Sequence, residues 1–145
     1  MATPTVSLDV LNPLTEILVR AGNAAAPHAR QTFQQAYVDI DLTYPDAVGI
    51  STLFREGATL DELAREGAFP HRKISFSVLG KIIEELRAVG HELVLFITPT
   101  PKLPDHHSLA VAANGVVLPT LPDVAAEALL RALTVVDNPY QTQHP

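Results

Sequence analysis

Apolar positions recur at three- and four-residue spacing in several parts of the chain. Leu11, Leu14, Leu18 and Ala21 predict a helix over 8–21, with Asp9 or Asn12 as its cap and Pro13 in its first turn. Gly22-Asn23 would close it in a left-handed turn, and Pro27 would start a second helix reaching Gln34 or Gln35. Tyr37 to Leu42 alternates apolar with polar, the period of a half-buried strand with Asp39 and Asp41 outward. After the Tyr44-Pro45-Asp46 turn, Ala47 to Arg55 reads as a short helix ended by Gly57. Thr59 followed by Asp61 and Glu62 marks the start of a helix to about Arg65.

The second half carries firmer signals. Gly67 to Lys73 reads as a connector, after which Ser75 or Ser77 would cap a helix with the stripe Leu79, Ile82, Ile83, Leu86 and Val89, ended by Gly90. Leu93 to Ile97 is apolar without interruption, which predicts a central strand covered on both faces. Pro99, Pro101 and Pro104 mark a stiff exposed loop before a strand over Ser108–Ala112, and Asn114-Gly115 predicts a hairpin into Val116-Val117-Leu118. A last amphipathic helix is expected from Asp123 to about Val136, with 137–145 a loose tail.

Together these elements predict one α/β domain over 1–145, with α+β as the variant: a mixed sheet of about four strands with packed helices. Its 145 residues and 47% hydrophobic content suit one domain with a real core. Absent cysteine removes disulfides and thiolate chemistry. The start resembles no secretory signal and no run reaches the roughly 20 apolar residues of a membrane helix, so a soluble, cytoplasmic protein without membrane contact is expected. A formal charge of −6 disfavours nucleic acid.

Three constellations carry candidate chemistry. Asp105-His106-His107-Ser108 offers a general base or acid, a hydroxyl and an orienting carboxylate, although neighbouring strand residues point to opposite faces. A zinc site would have to recruit His71 or His91, and the spacing fits no metal pattern, so no cofactor is expected. The Asp105-His106-His107 triplet also resembles the third motif of the DHH phosphoesterase family, and Tyr44 to Ser51 is similar to its first motif. That resemblance spans about a dozen residues. It implies a manganese site, but Tyr44 and Val48 stand where the family's metal-binding His and Asp would be.

Residues 59–113 as a unit resemble a winged helix in element order, with Thr98–His107 as the wing. Phosphate contacts would then come from His71, Arg72, Lys73, Lys81, Arg87 and Lys102, but Glu84 and Glu85 would repel the backbone. The third constellation is Asp39 with Asp41, two carboxylates on one strand face that, with Asp46, could hold a hard cation. The leading expectation is a non-catalytic protein-interaction or regulatory module that binds a protein partner or a second copy of itself. The alternatives are a small hydrolase or transferase, including the toxin type, with its site at 105–108 and Arg72, Lys73 or Lys102 stabilising an anion, and a winged-helix-like DNA binder.

Overall fold

The computed structural model describes residues 2–38 and 42–143. It is a mixed α/β domain built on a seven-stranded sheet. In chain order the elements are a 3-10 turn at Leu8–Val10, β1 (Ile17–Ala21), α1 (Ala29–Tyr37), β2 (Ile50–Leu53), α2 (Leu60–Gly67), β3 (Lys73–Val78), α3 (Leu79–Ala88), β4 (Glu92–Ile97), β5 (His106–Ala113), β6 (Val116–Val117), α4 (Asp123–Ala132), β7 (Thr134–Asp137) and α5 (Pro139–Gln143). The strands run β4-β5-β2-β1-β3-β7, with β6 on β5, and every strand pairing is antiparallel. The expected four-stranded mixed sheet is thus corrected in number and direction.

Alternation along each strand gives the sheet two working faces. Leu18, Ile50, Leu95 and Leu109 join Phe33, Ile82, Leu86 and Leu129 in a core beneath α1, α3 and α4. Val19, Leu53 and Ile74 join Leu63 and Ala64 in a smaller core beneath α2, to which Tyr140 of α5 adds. Ala125, Ala126, Ala128 and Ala132 are fully buried, and their small side chains let α4 pack on both α1 and α3.

Four sequence expectations are overturned. The predicted helix over 8–21 is a 3-10 turn and then a strand, because Ile17-Leu18-Val19 finds pairing partners on both sides in β2 and β3. Ala47–Arg55 holds β2 for the same reason: Ile50-Ser51-Thr52-Leu53 lies against β1 and β5. Ser75 and Ser77 are strand residues, and the first N–H groups of α3 are met instead by main-chain carbonyls, Leu79 N–H by Glu16 and Gly80 N–H by Pro13, each at 2.8 Å. That approach needs a glycine, since a Cβ on Gly80 would lie 2.9 Å from the Pro13 oxygen.

The fourth concerns β4, which is the outermost strand and not a central one. Its free edge is covered by the N-terminal segment: Ile97 N–H donates to Pro4 O, Val6 N–H donates to Leu95 O, and Thr5 bridges to Phe96. The winged-helix order also dissolves. β3 intervenes between α2 and α3, and the two helices belong to opposite faces of the sheet, so no helix-turn-helix forms.

The local signals for α2, α3 and the β5–β6 turn stand. α2 begins with a full capping box of Thr59 and Glu62, α3 buries Leu79, Ile82 and Leu86, and Asn114 and Gly115 take positive φ of 52° and 77° in the β5–β6 turn. Tyr37, expected to open a strand, is the last residue of α1, and the Asp39–Asp41 pair lies outside the described residues. Segment 137–145 opens with Asp137 in β7 and with Asn138, 1% exposed, whose side chain donates to the carbonyls of Phe69 and His71. No described helix is long and apolar enough to cross a membrane.

Candidate functional site

β5 divides the Asp105–Ser108 cluster. His106 and Ser108 sit across from Leu53 and Ser51 on the α2 face of the sheet, whereas His107 pairs with Thr52 and faces the other core. These histidines are strand residues and not loop-tip residues.

His106 is held at both ring nitrogens. Nδ1 lies 2.9 Å from the Thr98 carbonyl oxygen, which can only accept, so Nδ1 carries the proton in the neutral ring. Nε2 is then the acceptor, and Ser51 Oγ, 3.0 Å away, donates to it. Thr98 Oγ1 is also 2.9 Å from Nδ1 and 3.0 Å from Ser108 Oγ, which leaves its own proton for Ser108. Thr98 is buried, His106 and Ser108 are partly exposed, and Ser51 is open to solvent. The result is a fixed imidazole with a hydroxyl on its outer nitrogen.

His107 is 7% exposed, donates from Nδ1 to the Asp105 carbonyl at 2.7 Å and meets the Phe54 ring edge-on at 5.5 Å. Burial pushes its pKa down, outweighing the pull of Asp105 in the opposite direction. The ring is therefore neutral and structural.

The Asp105 carboxylate does not orient either histidine. It pairs with Arg55 Nη1 at 3.4 Å, and Arg55 also reaches Glu62 at 2.9 Å and Glu66 at 3.8 Å. Glu66 Oε2 is buried, and among the described residues no hydrogen-bond partner meets that oxygen. Burial first, then the facing Asp105 carboxyl, raises the Glu66 pKa, against the smaller downward pull of Arg55.

The basic residues expected to assist lie elsewhere. Lys73 is ion-paired with Asp137, and Arg72 is exposed and receives Asn138 N–H on its carbonyl; both are on β3 or its approach, separated from β5 by β1 and β2. Lys102 is exposed on the proline-rich loop between β4 and β5. Asp46 is occupied by the backbone and hydroxyl of Thr3. Among the described residues no three His, Asp or Glu side chains group as metal ligands.

Sequence reasoning missed Ser51 and Thr98. Ser51 was hidden inside a segment read as helix, although the alternation Ile50-Ser51-Thr52-Leu53 after Gly49 is a strand signal that puts the serine on the face opposite Ile50. Gly49 has φ +149°, and a Cβ there would lie 2.5 Å from the Leu109 oxygen, so this glycine permits the close β2–β5 contact that brings Ser51 to His106. Compared with known protein families, curated proteins and solved structures, the chain matches none.

Proposed function

We propose that the chain is a small enzyme of the hydrolase or transferase class, with Ser51 as nucleophile and His106 as its base. The observation that carries this reading is the 3.0 Å contact between the solvent-open Ser51 hydroxyl and an imidazole whose other nitrogen is locked on the Thr98 carbonyl. A nucleophile in reach of a base that is itself oriented by a third group is the arrangement activated hydroxyls use, here with a backbone carbonyl in the orienting place. In the reaction, Ser51 Oγ bonds to an electrophilic acyl or phosphoryl centre as its proton moves to His106 Nε2. The imidazolium then returns that proton to the departing group. Water, or an acceptor hydroxyl, then attacks the adduct as His106 takes its proton, and the bond to Ser51 Oγ breaks as His106 returns that proton to the oxygen.

A second reading, a non-catalytic module that binds a protein partner or another copy of the chain, is favoured by β7. This half-buried outer strand, Thr134–Asp137, pairs among the described residues with β3 alone and leaves one edge for strand addition.

The test is labelling with a fluorophosphonate, followed by intact mass and peptide mapping. The wild type should acquire one adduct on Ser51, and both Ser51→Ala and His106→Gln should abolish it. No adduct on Ser51, or equal labelling of His106→Gln, overturns the enzyme reading.

A further inference from the structure

Arg20 is the cation whose surroundings least explain it. It stands on β1 with its side chain on the α1 face, Nη1 donating to the Ser51 carbonyl at 2.9 Å and the guanidinium 5.1 Å from the centre of the Phe33 ring. Burial depresses its pKa, and among the described residues no carboxylate lies within ion-pairing distance. A guanidinium has five N–H donors, and desolvated charge is ordinarily offset by an opposite one. One carbonyl and one ring face leave most of this fork uncommitted.

The side chain borders a cleft of about 160 Å³ that it shares with Asn23, Thr32, Phe33 and Ser75, and no acidic residue lines it. The loop forming its wall is fixed from below. Ser75 Oγ donates to Gly22 O and accepts from Ala24 N, both at 3.0 Å, and Asn23 Oδ1 accepts from Ala25 N at 2.9 Å. The Asn23 amide N–H groups have no partner among the described residues. A cleft of this size admits one tetrahedral oxyanion and is smaller than the roughly 300 Å³ of a pocket that encloses a whole organic ligand.

We propose that the Arg20 cleft is an oxyanion-binding site that takes the phosphate group of a small organic phosphate, with the rest of that molecule outside the cleft. The guanidinium supplies paired, charge-assisted N–H bonds and Asn23 a neutral donor, a combination that suits three phosphate oxygens better than the two of a carboxylate. The site does not depend on the Ser51–His106 pair. Alternation sets Arg20 and the Ser51 side chain on opposite faces of the sheet, and only the Ser51 carbonyl joins them.

The probe is inorganic phosphate, titrated at constant ionic strength with acetate in parallel, and read as shifts of the Gly22–Ala26 amides and the Arg20 Nε–H by NMR. Phosphate should give saturable shifts confined to this cleft. Arg20→Lys keeps the charge and loses the fork, and should weaken binding at least about tenfold. Asn23→Asp keeps the oxygen that accepts from Ala25 N, leaves Arg20 untouched and sets a negative charge at the cleft. It should weaken binding by at least a similar factor while the remaining spectrum stays native. Absence of saturation, an affinity unchanged in Asn23→Asp, or saturation by acetate but not phosphate overturns the assignment. Fluorophosphonate labelling of Ser51 is read separately on the wild type, so either reading can fail while the other stands.

Discussion

Removing a single oxygen, in Tyr37→Phe, tests the way α1 is tied to the sheet. The Tyr37 side chain is fully buried at the end of α1, where its hydroxyl donates to Leu118 O at 2.8 Å and accepts from Val111 N at 3.1 Å. It substitutes for a strand at the point where β5 and the β5–β6 hairpin require a partner. Phenylalanine keeps the ring and its packing but leaves the Val111 N–H buried without an acceptor, which costs about 1–3 kcal/mol, and removes one bond to Leu118 O, worth about 0.5–1.5 kcal/mol. The sum is about 1.5–4.5 kcal/mol, and at roughly 3–4 °C per kcal/mol for a chain of this size Tm should fall by about 5–18 °C. Urea unfolding should show a lower midpoint at unchanged m-value, since the surface exposed on unfolding is the same. Tyr44→Phe is the control: its hydroxyl meets Pro99 O at 2.6 Å in a solvent-exposed setting, where water replaces it, and the change should stay below about 1 kcal/mol. A Tyr37→Phe protein within about 1 kcal/mol of wild type would refute the argument that Val111 depends on this hydroxyl.

Two further predictions concern pH and oppose each other. His107 has a depressed native pKa, so the unfolded chain takes up the proton first, near pH 6.5; the stability it contributes is present above that value and lost as pH falls toward the native pKa. His107→Gln should therefore flatten the decline in urea midpoint between pH 7 and pH 5.5, and an unchanged slope would count against it. Glu66 has a raised native pKa, so its stability is fully present below about pH 4.3 and lost as pH rises through the native value. Glu66→Gln, neutral at every pH and still able to donate to Asp105, should raise the midpoint at pH 7 and change little at pH 4; a loss at pH 7 would show that Arg55 already offsets the charge.

What was legible in the chain was whatever is decided locally. The Thr59–Glu62 capping box, the Leu79–Leu86 stripe and the Asn114-Gly115 turn are written within a few residues and were read correctly in kind. β1 and β2 were misread because four or five apolar residues fit a helical spacing by chance, and only their neighbours in space select the strand. The continuous apolar run of β4 signalled burial correctly and position wrongly, since its edge is covered by residues some ninety positions earlier. The site suffered from the same cause. His106 was visible, but its partners Ser51 and Thr98 reach it through strand register, and Asp105, its neighbour in sequence, is turned to Arg55 and Glu66.

The strip Pro4–Val6 along β4 acts as a guard. It is anchored at its start by Thr3 on Asp46 and bridges the open side of β4, the longest outer strand of the sheet, through Thr5. Were it trimmed or displaced, the amide of Ile97 and the carbonyl of Leu95 would face solvent beside buried Leu95 and Phe96, which is a template for another chain to add. Displacing Pro4–Val6 should therefore open β4 to pairing between copies, and a peptide with their sequence is the natural competitor for any assembly that forms at that edge.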